Sequence, residues 1–142
     1  MLFSDGSALG NPGPGGYGTI LRYGDKEKIL AGGEGYTTNN RMELKGVIEG
    51  LKALKEPCRV TIVSDSSYVV RGINEWLEGW IKGNFSKVKN PELWHEFLEV
   101  SKAHIVKGVW VRGHDGHPEN ERCDQLAKQE AEKFKQGMQN NE

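Results

Sequence analysis

Apolar residues recur along this chain with two different periods. Leu2 to Ser4 is a short apolar run, Tyr17 to Tyr23 alternates, and Lys28 to Ala31, extending toward Gly35, alternates again beyond a Gly24-Asp25 turn. These segments predict three strands, the last two joined as a hairpin, with a Gly/Pro loop from Gly6 to Gly16. Leu44, Val47, Ile48, Leu51 and Leu54 then fall at helical spacing, with Asn39 or Asn40 as the N-cap and Pro57 as the stop. Arg59 to Ser64 is rich in β-branched residues and predicts a fourth strand. Helices are expected from Ser66 to about Asn74, around Trp76 to Ile81, and from Pro91 to about Lys102, where Asn90-Pro91 offers a cap followed by proline at the first helical position. Ile105 to Arg112 reads as a fifth strand. Pro118 opens a last helix to about Gln136, and GMQNNE remains as a polar tail.

The order is β-β-β-α-β-α-α-α-β-α. The first three strands can pair antiparallel, whereas the fourth and fifth return through helices and should run parallel to the first. The expected fold is therefore α/β: a mixed five-stranded sheet flanked by helices, forming one domain over residues 1–136 with a tail at 137–142. A chain of 142 residues can bury a real core, and 36% hydrophobic with 27% charged residues is the balance of a soluble globular protein. No apolar run is long enough to span a membrane, and no signal-peptide pattern is visible. Two cysteines, Cys58 and Cys123, are too few for a disulfide framework, so reduced thiols and a cytoplasmic location are expected. No oligomerisation element stands out, which gives the expectation of a monomer with no obligate protein partner.

The candidate chemistry lies in four acids. Asp5 and Asp65 each end an apolar β-like run, in LFSD and VTIVSD, while Glu43 and Asp124 border the apolar stripes of two helices. If the first and fourth strands are parallel neighbours, both aspartates lie at carboxyl ends, where α/β sheets form sites. Any one of these acids has an ordinary alternative as a cap, a lysine partner or a solvated side chain. Four together would repel one another and raise each other's pKa unless a cation joined them. Oxygen donors without a thiolate suit Mg²⁺ or Mn²⁺, and a pair of such ions held by shared acids is a device for phosphodiester chemistry. The formal net charge of −1 argues against a partner held by bulk positive charge, although bound divalent ions would supply positive charge locally.

Four separated segments, FSDGSALGNPGPGGYG, TTNNRMEL, VSDSSYVVRGI and VRGHDGHPENERCDQLA, resemble type 1 ribonuclease H of the bacterial kind, in the same order and from Leu2 to about Phe134. The resemblance implies the mixed sheet deduced above. It also implies endonucleolytic hydrolysis of the RNA strand of an RNA/DNA hybrid by a two-metal-ion mechanism, leaving 3′-hydroxyl and 5′-phosphate ends. Two Mg²⁺ ions per site are implied, with Mn²⁺ able to substitute. Asp5, Glu43, Asp65 and Asp124 match the family's metal-holding catalytic acids, and His114 matches a loop histidine implicated in turnover. His117 reads as structural.

Asn11, Asn39 and Asn40 match positions that contact the hybrid, where amides can both donate and accept. Turn formation and helix capping are their structural alternatives. Trp76, Trp80, Phe85, Lys82, Lys87 and Lys89 match the aromatic helix and basic protrusion that grip the DNA strand. Core packing is the competing role, more so for Trp76 than for Trp80.

The chain departs from the best-known bacterial pattern in several places. The protrusion is shorter and less basic, Phe85 stands at an expected tryptophan, and Ser67 stands where a glutamine is common. Weaker binding and a sharper salt response are the implied consequences. Asp5 lies close to Met1, so a short first strand with fewer ladder bonds is expected.

Other readings fare worse. GNPGPGGYG lacks the GK[ST] ending of a triphosphate loop. The spacing of Cys58, His114, His117 and Cys123 fits no common zinc module. A hybrid-binding module that no longer cuts should have lost one of the acids, and all four are present.

Overall fold

Strands β1 (Leu2–Ala8), β2 (Gly13–Tyr23), β3 (Lys26–Thr37), β4 (Arg59–Ser64) and β5 (Ile105–Trp110) form one sheet in the order β3-β2-β1-β4-β5. The computed structural model describes residues 1–84, 88–112 and 117–140, with side chains through residue 137. β1 pairs antiparallel with β2, and β2 with β3; β4 runs parallel to both β1 and β5. This is the mixed sheet expected from the element order.

Alternation along the central strands divides the core between the two faces. Leu2 and Ile62 point to one face and join Leu44, Val47, Ile48 and Leu51 of α1 (Asn39–Lys52) and Trp94 and Phe97 of α4 (Pro91–Ser101). Phe3, Ile20 and Val63 point to the other face and meet Cys123 of α5 (Pro118–Asn140). Leu44, Val47 and Ile48 are fully buried, each adding about 1.5–3 kcal/mol of hydrophobic stabilisation. Helices α2 (Ser67–Arg71) and α3 (Leu77–Lys82), joined by a π-helical turn at Gly72–Trp76, pack on the first of these faces through Val69, Ile73, Leu77 and Trp80. The turn explains why one periodic stripe does not run through the Ser66–Ile81 segment. Among the described residues, no helix is long and apolar enough to cross a membrane.

Several boundaries differ from the sequence expectation. β1 does not stop at Ser4: it continues to Ala8, pairing with β2 as far as Ala8↔Gly15, while its parallel ladder with β4 holds only Leu2↔Ile62 and Phe3↔Val63. Backbone pairing with β2 carries the polar second half of β1, which has no apolar signature of its own. The first strand is therefore seven residues long, and the bonds it lacks are those to β4. The cap of α1 is Thr38, whose Oγ1 accepts from the Arg41 N–H, and not Asn39 or Asn40. Asn90 adopts a left-handed backbone without capping α4 through its side chain. α5 remains helical to Asn140, into the segment expected to be a polar tail.

Candidate active site

The sheet forks where β1 parts from β4, and the acids gather at that fork. Asp5 sits in the middle of β1, two residues beyond the last parallel pair, and is 8% exposed. Asp65 follows the last residue of β4, and Ser66 then caps α2 by accepting from the Val69 N–H.

Glu43 arrives from α1 because that helix lies directly on β1. A Cβ at Gly6 would stand 2.4 Å from the backbone nitrogen of Glu43, so only glycine admits this approach. A similar contact places α5, since a Cβ at Gly18 would stand 2.6 Å from the Cys123 carbonyl oxygen. The start of α5 is further held by the Asn120 amide, which donates to the Val63 carbonyl (3.2 Å). Arg22 adds ion pairs to Glu119 (2.7 Å) and Glu27 (3.0 Å).

One carboxylate oxygen from each of Asp5, Glu43 and Asp65 lies within 4.8 Å of the other two. Among the described residues, this is the one group whose side chains could hold a metal ion. Buried Cys123, whose thiol burial pushes up to about 12, takes no part, nor does Cys58. Asp124 is half-buried on α5, paired with Lys128 (2.9 Å), and close enough for its charge to act on Asp5.

The electrostatics follow from this crowding. Burial, then the charge of Asp65, pushes the Asp5 carboxyl up from an ordinary 3.8 to about 7, although the Gly6 N–H donates to its Oδ1 (2.8 Å). Burial, then the charges of Asp5 and Asp65, holds Glu43 well above the usual glutamate range. Its Oε2 is buried with no hydrogen-bond partner. An orphaned carboxylate oxygen in a cluster of three acids is unfavourable by itself and would be satisfied by a hard divalent cation. The donor set therefore fits the metal that the sequence implied.

A cleft of about 500 Å³ is lined by Asn11, Thr38, Asn39, Asn40, Lys89 and Asn90. Asn39 Oδ1 accepts from the Ala8 N–H (2.7 Å), and Asn11 Oδ1 accepts from the Asn39 N–H (2.9 Å). Each amide thus spends its oxygen on the backbone and keeps its NH₂ available as a donor. Thr38 and Asn90 were not picked out by sequence reasoning as lining residues. Their only signals were their positions beside helix starts.

On the aromatic helix, Trp80 packs against buried Trp94 (5.0 Å between ring centroids) and joins the core. Trp76 instead meets Trp80 in a tilted contact (5.7 Å between centroids, 47° between planes) and lies under the Arg71 guanidinium (4.6 Å). Trp80 and not Trp76 therefore packs against the core, the reverse of the expected ranking. Lys82 is exposed at the end of α3. The His117 carbonyl accepts from the Glu121 N–H at the start of α5. His114, Phe85 and Lys87 lie outside the described residues.

The sequence matches the family model described as RNase H over residues 1–132. It is 66% identical over 137 residues to a protein named Ribonuclease H from Sulfurovum sp. (strain NBC37-1), covering 96% of this chain and 93% of that one. It is likewise 66% identical over 132 residues to Ribonuclease HI from Helicobacter pylori (strain ATCC 700392 / 26695), covering 93% and 92% of the two chains. Among solved structures, it resembles LC9-RNase H1, a type 1 RNase H with the type 2 active-site motif. That likeness has a TM-score of 0.82 at 33% identity and covers 94% of this chain and 72% of that one.

Proposed function

This chain belongs to the ribonuclease H family, and from that membership we propose how its residues hydrolyse the RNA strand of RNA/DNA hybrids, leaving 3′-hydroxyl and 5′-phosphate ends. The observation that carries the reading is the convergence of one carboxylate oxygen each from Asp5, Glu43 and Asp65, in a site where Glu43 Oε2 is buried without a hydrogen-bond partner. Asp5, Glu43, Asp65 and Asp124 would hold two Mg²⁺ ions, which would supply a water of lowered pKa and positive charge for the departing 3′-oxygen.

The carboxylates themselves attack nothing. Asp5, central among the acids and unable to move within its strand, fixes the position about which the others close. Asp124, on the more exposed rim, completes the set. His114 accepts or returns a proton during turnover, with a modest effect on rate.

Selectivity comes from the surface around the acids. Asn11, Asn39 and Asn40 present amide donors along the cleft, where they read the backbone and the 2′-hydroxyls that distinguish RNA from DNA. Trp76, Trp80 and Phe85, with Lys82, Lys87 and Lys89, hold the DNA strand. The protein acts as a single domain and a monomer in the cytoplasm.

The test follows the RNA strand of an end-labelled hybrid with Mg²⁺, beside single-stranded RNA and duplex DNA. Internal cuts in the hybrid's RNA alone, abolished by EDTA, are expected. Hybrid binding without cutting in Mg²⁺ or Mn²⁺ would instead make the chain a silent binding module.

A further inference from the structure

We infer that Trp110 is a positioning residue for the acid cluster: its indole N–H, by holding the main chain of Asp65, sets where that carboxylate stands. The inference rests on the metal-dependent reading of the site given above.

The ladder between β4 and β5 ends at Ser64↔Trp110, with the Val111 N–H donating to the Ser64 carbonyl (3.0 Å). The chain after Ser64 then leaves the sheet, and Ser66 already begins the cap of α2. Asp65 falls in the gap between these two elements. The Trp110 indole N–H donates to the Asp65 carbonyl oxygen at 3.0 Å, a cross-link one residue beyond the end of the ladder. The Ser66 N–H donates to Ser64 Oγ (3.0 Å) and tightens the same turn.

The other two acids of the cluster need no such link. Asp5 is fixed inside a central strand, and Glu43 is pressed onto β1 by a helix. Trp110 is also 54% exposed at the sheet's edge, so burial does not account for a tryptophan there. What distinguishes indole from other rings at such a place is its polar handle. Groups that orient metal ligands from behind are a recognised determinant of metal affinity.

The test is calorimetric titration of metal-free wild type and Trp110→Phe with Mn²⁺, without substrate. The Kd of the variant is expected to rise about three- to tenfold, the worth of one hydrogen bond. Its cleavage rate should recover at high metal, and its KM for the hybrid should not change. An equal Kd, with or without a lower melting temperature in EDTA, would mean that Trp110 is merely structural and would overturn the inference.

Should Trp110→Phe fail to fold, the wild-type indole N–H resonance of Trp110 is followed through a Mg²⁺ titration. A shift that tracks metal occupancy is expected, and a resonance unmoved at saturation overturns the inference. Wild type that binds no metal at all would remove the metal reading itself, and this inference with it.

Discussion

The acid cluster and the asparagine cleft are neighbours built on opposite principles. The cluster sits on a central strand and under a helix that only glycine admits, and the side chains of two of its three acids, Asp5 and Glu43, are buried. The cleft is lined largely by neutral side chains, and two of its amides, Asn11 and Asn39, spend their oxygens on backbone N–H groups. The difference teaches what each region is kept for. Repulsion in the first would be relieved by a proton or by a bound cation, so its cost to folding is coupled to pH and to metal. In the second, Asn11 and Asn39 hold the fold together through backbone hydrogen bonds whatever else they contact.

The sharpest way to break this comparison is Asp5→Asn. Cleavage should fall below about 1% of wild type, while the metal-free protein at neutral pH should become more stable, because a buried charge disappears. Activity within a few-fold of wild type in a folded variant would end the four-acid reading.

The next effect is on stability against pH. Asp5 carries a folded pKa of about 7 against an ordinary 3.8, so between those values the folded state binds more protons than the unfolded one. The metal-free protein should therefore lose stability as pH rises from about 4 through about 7, and Glu43, shifted in the same direction, should add to the loss. Saturating Mg²⁺ should raise the melting temperature most at the alkaline end of that window. Denaturation curves at several pH values, with Mg²⁺ and with EDTA, measure both; a flat metal-free profile would show that the acids do not repel.

The cleft should respond differently. Asn39→Ala removes the acceptor for the Ala8 N–H, and is expected to cost about 1 kcal/mol of stability at every pH and to weaken hybrid binding several-fold. Its effect on melting temperature should not depend on metal. A metal-dependent effect would mean that the two regions are one unit.

The smallest expected change is that of Lys89→Ala. Its lysine is exposed at the cleft's far wall, so the variant should lower the slope of log K against log salt by about one, with no effect on cleavage at saturating hybrid. An unaltered slope would make Lys89 a solvated charge.

Much of this was legible in the chain. The apolar run at Leu2 to Ser4 and the β-branched run at Arg59 to Ser64 placed two strands, and the structure buries both faces of each. The stripe of Leu44, Val47, Ile48 and Leu51 placed the helix that carries Glu43. The same periodicities put Glu43 and Asp124 at the margins of their stripes. Less was legible where a residue's role depends on a distant partner. Thr38 and Asn39 are both good caps by type. Thr38 takes the position because Asn39 is engaged by Ala8, 31 residues earlier in the chain. Trp76 and Trp80 differ in their partners, Trp80 meeting the core through Trp94 and Trp76 meeting Arg71, across a π-helical turn that has no periodic signature.

The sequence by itself determined the element order, the direction of each strand and the identity of the acids, because side-chain period and connection length are local properties. Only the tertiary structure decided that β1 leaves β4 just before Asp5, that Gly6 lets a helix bring Glu43 against it, and that an indole from the sheet's edge reaches the main chain of Asp65. Those outcomes depend on how closely two backbones can approach and where a ladder runs out. Such distances belong to pairs of segments far apart in the chain, and no single stretch of residues encodes them.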